Sequence, residues 1–372
     1  MFNKKFLLLF TFYISYVWFT TFGTSVLPAH LLAQHLSFQQ LMFGTVLKFM
    51  AQIILLVTLT TFTSRISWRL ALISVFVYIL LSISIFNVSQ FYIASFINGF
   101  ALFFFFVFYN IAHFKNTPQE KRGHNSALMF IAPSLIGIFA PLLAGYIAQV
   151  NLVFLWIISL VSFSISFYLI RLQENFQISY KIKTAIKEIK ATRIFIFVEG
   201  VWEAMVFGVI PIYTLYFIKT PLKYGAFLSY LAFVSIIANF ILGKVTDRLH
   251  KKTIFLYPIT IILACTTILF VTVKTNLGSW IILTGIIQFL LPLFWNISTA
   301  MIIDTHSNLQ LAIPGREFLL AAGRILGLSI AFISFTFEKS PHYIFIILGL
   351  ILFLYPIMLF WNTKVSKNYS YL

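Results

Sequence analysis

Four ionisable side chains stand deep inside long apolar stretches of the sequence: Lys48, Glu199, Glu203 and Arg324. Two of them are acids and two are bases. A charge at the centre of an apolar membrane helix costs about 2.5–3.5 kcal/mol, so such groups pair with one another or face water. The chemistry that these residue types predict is that of buried ion pairs, which can be coupled to the binding of an ion or a solute.

The elements that would hold these charges are membrane helices. The chain has 372 residues, of which 60% are hydrophobic and only 9% are charged, outside the range of soluble globular domains. A bilayer core of about 30 Å needs about 20 mostly apolar residues per helix. The sequence therefore predicts an all-α membrane protein with twelve transmembrane helices, at residues 5–27, 38–62, 68–87, 90–113, 124–147, 152–172, 193–218, 222–243, 253–273, 278–303, 316–337 and 342–361.

The basic residues are distributed unevenly over the connections between these helices. With both termini placed in the cytoplasm, 20 of the 26 Lys and Arg fall on the cytoplasmic side, four on the outer side and two within helices. Cytoplasmic loops of membrane proteins carry such an excess, so we predict cytoplasmic N- and C-termini and a multi-pass protein of the cell membrane. This orientation accounts for the formal net charge of +17, and no nucleic-acid partner is expected.

The longest connection, residues 173–192, follows the sixth helix and divides the chain into an N-terminal bundle, 1–172, and a C-terminal bundle, 193–372. Apolar residues recur in it at helical spacing between lysines, at Ile178, Ile182, Ala185, Ile186 and Ile189. This amphipathic pattern predicts a cytoplasmic linker that lies on the anionic inner leaflet as a tether between the bundles. A solvated linker with some helix is the alternative.

The sharpest motif is GKVTDRLHKK at residues 243–252, in the predicted cytoplasmic turn between helices 8 and 9. Its glycine permits close approach of two backbones, its aspartate can accept bonds from a helix N-terminus, and its bases can bind acidic groups. The segment resembles the G-x-x-x-D-R-x-x-[RK]-[RK] loop of the major facilitator superfamily. The resemblance implies a cytoplasmic gating loop formed by Gly243, Asp247, Arg248, Lys251 and Lys252.

A degenerate copy of this motif, TTFTSRISWR at residues 60–69, stands where the family has its other copy. It keeps two arginines but lacks the glycine and the aspartate. The two copies start 183 residues apart, and a second echo, G-H-N at Gly123 and G-R-E at Gly315 opening helices 5 and 11, is offset by 192. Both offsets are close to half the chain, which predicts two pseudo-symmetric, parallel six-helix bundles.

In the family that the chain resembles, helices 2 and 11 pack across the interface between the bundles and helix 7 lines the central cavity. The resemblance therefore implies that Glu203 of helix 7 meets Arg324 of helix 11 or Lys48 of helix 2. Small residues beside these charges predict close packing, on helix 7 at Gly200, Ala204 and Gly208 and on helix 11 at Gly323 and Gly327. We expect the pair to form and break as the bundles rock; a static pair that only fixes assembly is the alternative.

Helices 1, 4, 7 and 10 line the cavity in that family, and their polar and aromatic residues are candidate contacts for a solute. These residues are Tyr13, Trp18, Asn98, Asn110, Trp202, Trp295 and Asn296. Aromatic rings can stack on a flat solute and amides can hydrogen-bond to it. Because the chain holds 45 Phe and 17 Tyr, an aromatic residue here more often serves packing than binding, so these residues do not identify a substrate.

These observations predict a secondary active transporter, not an enzyme, that moves a small solute by alternating access, with proton coupling left open. We expect it to act as a monomer in the bilayer without a cofactor or a metal. A membrane-embedded transferase is one rival. Such enzymes need clustered acids or metal ligands, and the single cysteine, Cys265, lies in an apolar run, where it fits no cluster of metal ligands. A non-transporting sensor or assembly factor on a transporter scaffold is the other.

Overall fold

The computed structural model describes residues 4–84, 87–116, 122–246, 252–273, 275–305, 308–337 and 342–362. Over these ranges the chain is helical except for turns and one short pair of strands. Eleven helices there are long and apolar enough to cross a membrane, and a shorter apolar helix covers Leu256–Thr272. The expected all-α, multi-pass architecture is confirmed at this level, while the number twelve and the cytoplasmic termini stay predictions.

The first part of the chain forms eight helices and a short strand. They are α1 (Lys4–Thr24), α2 (Leu27–Ala33), α3 (Phe38–Thr58), β1 (Thr61–Thr63), α4 (Ser64–Ile83), α5 (Val88–Ala101), α6 (Phe108–Asn116), α7 (Arg122–Val150) and α8 (Leu152–Leu169). A π-helical turn at Leu102–Val107 joins α5 to α6, so that Val88–Asn116 is one continuous membrane helix.

The second part forms a strand and eight further helices. They are β2 (Gln177–Ser179), α9 (Ile182–Glu188), α10 (Arg193–Ala204), α11 (Ile210–Tyr213), α12 (Pro221–Thr246), α13 (Leu256–Leu269), α14 (Leu277–Thr305), α15 (Leu309–Phe337) and α16 (His342–Phe360). A π-helical turn at Met205–Val209 joins α10 to α11, so the predicted seventh helix is not a regular α-helix. Such turns occur frequently at functional sites, and this one directly follows the acidic residues of α10.

The turns on the predicted outer side are tight because polar side chains cap the helices that follow them. At the start of α3, Ser37 Oγ accepts the N–H of Gln40 at 3.2 Å and Gln40 Oε1 accepts the N–H of Ser37 at 2.8 Å. Asn87 and Asn151 cap α5 and α8 through their side-chain oxygens. Each cap satisfies a backbone donor that a helix start leaves free, which stabilises the helix by about 1 kcal/mol.

Helices of the two predicted bundles meet where α3 packs on α15 and where α7 packs on α12, and α15 also packs on α10. Glycines allow the α10–α15 approach. A Cβ atom added at Gly323 or Gly327 would meet backbone oxygens of α10, and one added at Gly200 would meet the backbone of α15. The predicted close packing through small residues is therefore confirmed at these glycines.

The helix α15 begins at Leu309, seven residues before the expected start at residue 316. At a rise of 1.5 Å per residue, Arg316 lies about 10 Å inside the helix. Arg316 therefore does not begin the helix, and Gly315 does not open the helix but lies within it. The helix starts earlier because Leu309 to Pro314 carry no charge and continue the apolar pattern.

Both halves of the linker, residues 173–192, pack against other parts of the protein. Its strand β2 pairs antiparallel with β1, beside the start of α4. Its helix α9 packs on α15, with Ala185 and Ile189 fully buried while the lysines of the linker are exposed. The prediction that the apolar face lies on the leaflet is wrong, because α15 covers that face. The division of the chain into two bundles at this linker stays a prediction.

Two residues of the degenerate motif hold the linker to α4. The Nε and Nη2 atoms of Arg65 donate to the carbonyl oxygen of Gln173 at 2.9 and 2.7 Å. Ser64, which stands where the family motif has aspartate, accepts the N–H of Phe176 at 3.0 Å and donates its own N–H to the Phe176 carbonyl at 2.9 Å. This copy of the motif is thus tied to the linker by hydrogen bonds.

An exposed ion pair lies next to this contact. Glu174 of the linker accepts a hydrogen bond from Lys5 at 3.3 Å, and Lys115 lies 3.6 Å from its other oxygen. The hydrogen bond from Lys5 and the charge of Lys115 hold the pKa of the Glu174 carboxyl below its ordinary value. The pair therefore links the linker to the ends of α1 and α6.

Candidate functional site: a buried charge network beside a cavity

Glu203 and Arg324 form a buried ion pair. Arg324 Nε donates to Glu203 Oε2 at 2.7 Å, and Arg324 Nη2 lies 2.7 Å from the same oxygen. Trp295 Nε1 donates to Glu203 Oε1 at 2.6 Å. The glutamate is 1% exposed and the arginine 9% exposed. Both carboxylate oxygens are thus engaged by charge-assisted hydrogen bonds, which are among the strongest in proteins.

Aromatic rings enclose the guanidinium group of Arg324. Its central carbon lies 4.6 Å from the ring centroid of Phe207 and 5.2 Å from that of Phe49. Phe207 in turn stacks on Trp295, with centroids 6.0 Å apart and planes 19° apart. A desolvated cation over an aromatic face is stabilised by about 2 kcal/mol. Because Phe49 belongs to α3, the ion pair is in contact with both sides of the α3–α15 interface.

Lys48 is not the partner of Glu203. No carboxylate of the described residues lies within ion-pair distance of its side chain. Of the two bases that the sequence offers to Glu203, the structure therefore brings only Arg324 into contact with it.

Glu199 lies one helical turn before Glu203 and is 0% exposed. Its Oε1 atom is 3.6 Å from Arg316 Nη2. Neither of its oxygens accepts a hydrogen bond from the described residues. The side chain of Glu199 is therefore enclosed, and its nearest counter-charge among the described residues is Arg316.

Arg316 is shared between several groups and completes a second charge cluster. Its Nη1 atom donates to Glu317 Oε1 at 3.1 Å and its Nη2 atom to Thr299 Oγ1 at 3.2 Å. Glu317 is 6% exposed and accepts a hydrogen bond from Gln52 Nε2 of α3 at 3.4 Å. This second cluster therefore joins the same helices as the Glu203 pair, α3, α10, α14 and α15.

Sequence reasoning missed Glu317 and Gln52. A start of helix 11 at residue 316 places Arg316 and Glu317 at the membrane boundary, where charges cost little, but the structure encloses most of both side chains. Arg316 and Glu317 add one base and one acid to the four predicted charges, which keeps the balance of signs. A signal was available, because Gln52 follows Lys48 by four residues and therefore lies on the same face of α3.

A cavity of about 430 Å³ opens beside Trp295, within the size range of small-molecule sites, roughly 300–1,000 Å³. Its walls come from α1, α7, the segment from the π-turn to α11, α12 and α14. The described residues that line it are Tyr13, Pro133, Ser134, Val206, Ile210, Pro211, Leu228, Leu231, Ala232, Ser235, Asn239, Gln288, Pro292 and Trp295. Trp295 is thus both a wall of the cavity and a donor to Glu203.

Two of the seven candidate lining residues, Tyr13 and Trp295, line this cavity. The indole of Trp202 is fully buried and donates to Thr267 Oγ1 of α13 at 3.0 Å, so its assignment to the cavity is wrong. Trp202 is adjacent to Glu203 and therefore points about 100° away from it around the helix. The cavity walls described above also do not include Trp18, Asn98, Asn110 and Asn296.

The predicted gating loop falls largely outside the described residues, as Asp247, Arg248 and Lys251 do. Gly243 lies in the last turns of α12, and Lys252 opens the turn of 3-10 helix at Lys252–Phe255. The role of these residues stays a prediction.

Solved transporter structures share the fold of this protein over nearly the whole chain. A bacterial metal transporter has 12% identity and a TM-score of 0.66, with 98% of this chain and 100% of that one covered. The human organic anion transporter MFSD10 has 12% identity and a TM-score of 0.68, covering 96% and 100%. The xylose transporter XylE from E. coli, in a partially occluded inward-open conformation, has 9% identity and a TM-score of 0.69, covering 98% of both chains.

The likeness is one of fold. No protein-family model matches the sequence, and no curated protein matches it. The similar structures have the fold of major facilitator superfamily transporters, so the expectation that this chain has that fold is confirmed.

Proposed function

We propose that this chain, which has the major facilitator fold, is a secondary active transporter that moves a small solute across the cell membrane by alternating access. The observation that carries the proposal is the Glu203–Arg324 pair, which lies at the α3–α15 interface and is joined through Trp295 to the wall of a cavity. A functional monomer is part of the proposal.

The contacts suggest how a solute would act on the interface. A solute that moves the indole of Trp295 would remove a donor from Glu203 Oε1 and loosen the hold of the carboxylate on Arg324. Arg324 packs on Phe49 of α3, so this change would alter the packing across the α3–α15 interface. A proton on Glu203 would have a similar effect, because a neutral carboxyl attracts the guanidinium less, and proton coupling is therefore part of the proposal.

Solute flux into proteoliposomes tests the proposal. The purified protein is reconstituted with and without an inward proton gradient, and uptake of radiolabelled neutral, anionic and cationic solutes is measured. We expect saturable uptake of at least one solute, lost in Glu203→Gln and kept in Glu174→Gln, a matched change in an exposed ion pair. The absence of flux for every solute, with normal folding and insertion, would contradict the proposal.

Alternating access itself is tested by distances on the two faces. In a Cys265→Ser background, spin labels are placed on the exposed sites Leu172 and Phe360, and in a second protein on Val150 and Tyr343. We expect double electron–electron resonance to show two distances for each spin-label pair. The population of the longer distance should rise for the pair on one face of the membrane when it falls for the pair on the other face. A single unchanging distance on both faces would argue against rocking.

The solved structures that share the fold are transporters, which supports this function over a membrane-embedded transferase. A sensor or assembly factor is the second candidate, because three short contacts hold the Glu203 carboxylate at once, as in a static clamp. The spin-label experiment separates the two candidates. A static clamp predicts a single distance for each spin-label pair in the native protein, and only a change that breaks the clamp, such as Glu203→Gln, would alter that distance.

A further inference from the structure

The walls of the 430 Å³ cavity are almost free of ionisable groups. Apart from the phenol of Tyr13, its described lining residues are proline, aliphatic residues, serines, amides and Trp295. A charged solute held in an apolar cavity within the bilayer loses its hydration, and this costs several kcal/mol unless a counter-charge meets it. The described walls supply no such counter-charge.

The nearest charges do not fill that role. Glu203 lies behind Trp295, and its two oxygens are already engaged by Trp295 and Arg324. The charge of Arg324 is in turn matched by Glu203. A metal cargo would need several hard or nitrogen ligands together, and no group of three His, Cys, Asp or Glu that could hold a metal occurs in the part of the chain that the structure describes.

The cavity still offers a few polar contacts, all uncharged. Ser134 donates to Ser235 Oγ at 3.2 Å across the α7–α12 contact, and Asn239 and Gln288 add amide groups. The rest of the wall is apolar, with the indole of Trp295 at one end. Such a wall fits a solute that buries hydrocarbon or aromatic surface and makes one or two hydrogen bonds.

We propose that this cavity binds an uncharged, largely apolar small molecule that carries one or two hydrogen-bonding groups. The proposal rests on the proposed transport function and narrows it to a substrate class. It separates this chain from carriers of inorganic cations or organic anions, whose cargo would leave an unmatched charge beside the leucines and prolines of the cavity.

The first test measures which reagents enter the cavity. In a Cys265→Ser background, Ser235→Cys places a thiol in the cavity wall and Thr184→Cys places one on the exposed face of α9. Each protein reacts in nanodiscs with the hydroxyethyl, sulfonatoethyl and trimethylammonioethyl methanethiosulfonates, which share one reactive group and differ in charge. We expect the ratio of neutral to charged labelling rates to be about tenfold or more higher at Ser235→Cys than at Thr184→Cys.

Equal ratios at the two positions, or fastest labelling of the cavity by either charged reagent, would overturn the proposal. The comparison of ratios removes differences in thiol reactivity between the sites. Both substitutions replace small polar side chains with one of similar volume, so a folded protein is expected in each case.

The second test measures binding. N-phenylnaphthylamine is an uncharged probe, and anilinonaphthalene sulfonate is its anionic analogue; both fluoresce more strongly on entering an apolar site. We expect saturable binding of the neutral probe about tenfold tighter than that of the sulfonate, weakened about tenfold by Leu231→Trp in the cavity and unchanged by Leu350→Trp on the exposed side of α16. Tighter binding of the sulfonate, or no effect of Leu231→Trp, would contradict the proposal.

The outcomes also separate this proposal from the transport function. Binding of the neutral probe to the cavity without flux of any solute would support the substrate class and refute transport. Saturable flux of a charged solute, blocked by Leu231→Trp, would leave transport standing and overturn the substrate class.

Discussion

Replacing Glu203 by glutamine removes the only carboxylate that engages Arg324 among the described residues. The substituted amide can still accept from Trp295, but its NH₂ group turns donors toward the guanidinium. Because both partners are buried, the uncompensated arginine dominates the cost. Breaking a buried ion pair by removing one partner costs about 3–5 kcal/mol, and we expect this loss in the free energy of unfolding.

The double variant Glu203→Gln with Arg324→Met removes both charges and should recover most of that loss, because replacing a buried pair by uncharged groups of similar volume is often close to neutral. Unfolding midpoints in denaturant, followed by tryptophan fluorescence in nanodiscs, measure both variants. Glu174→Gln, the same change in an exposed pair, is the control and should cost less than about 1 kcal/mol.

The stable double variant decides whether the pair moves or only holds. If forming and breaking the pair drives rocking, the double variant is folded but its two-face distances no longer exchange, and uptake is lost. A double variant that exchanges and transports like the native protein would refute the coupling role of the pair. A Glu203→Gln protein whose unfolding midpoint matches the native one would refute the energetic argument itself.

Three further predictions concern single contacts. Trp295→Phe keeps the ring against Phe207 but removes a donor to the buried carboxylate, so we expect a loss of about 1.5–3 kcal/mol in unfolding free energy, measured by denaturant titration. Gly323→Leu would push a side chain into the backbone of α10, and we expect loss of monodisperse protein on gel filtration, whereas Leu326→Ala on the exposed side of α15 is tolerated. The lowered pKa of Glu174 means that its ion pair stabilises the protein above the ordinary carboxyl pKa and that this contribution is lost as pH falls through the lowered value. Thermal unfolding should therefore show Glu174→Gln to be less stable than the native protein at neutral pH, by under about 1 kcal/mol, and equally stable at acid pH. The difference at neutral pH should shrink at high salt, which screens exposed charges.

Local pattern was sufficient for much of the architecture. Apolar runs of membrane-spanning length and short turns between them predicted a multi-pass helical protein, since the bilayer imposes that length on every helix. The glycines around Glu203 and Arg324 predicted the close approach of α10 and α15, because only small residues let two backbones meet. The loop motif at 243–252 pointed to the fold through resemblance alone.

The linker shows where local pattern misled. Its alternation of isoleucine and lysine is equally compatible with a lipid surface and with the apolar face of another helix. Only the packing of α9 on α15, with Ala185 and Ile189 buried between them, selects the second. Amphipathicity shows that a helix has an apolar side but does not identify what covers it.

The sequence by itself determined that a few opposite charges must lie among membrane helices. The length of each apolar run and the position of a charge within it indicate roughly how deep the charge lies, and therefore how much free energy its burial costs. The tertiary structure alone decided that Glu203 is in contact with Arg324 and not with Lys48, that Arg316 bridges Glu199 and Glu317, and that Trp295 faces both the cavity and the ion pair. Helical periodicity fixes which residues share a face of one helix. The partner across that face depends on how helices far apart in the chain are rotated and packed, and no local pattern contains that information.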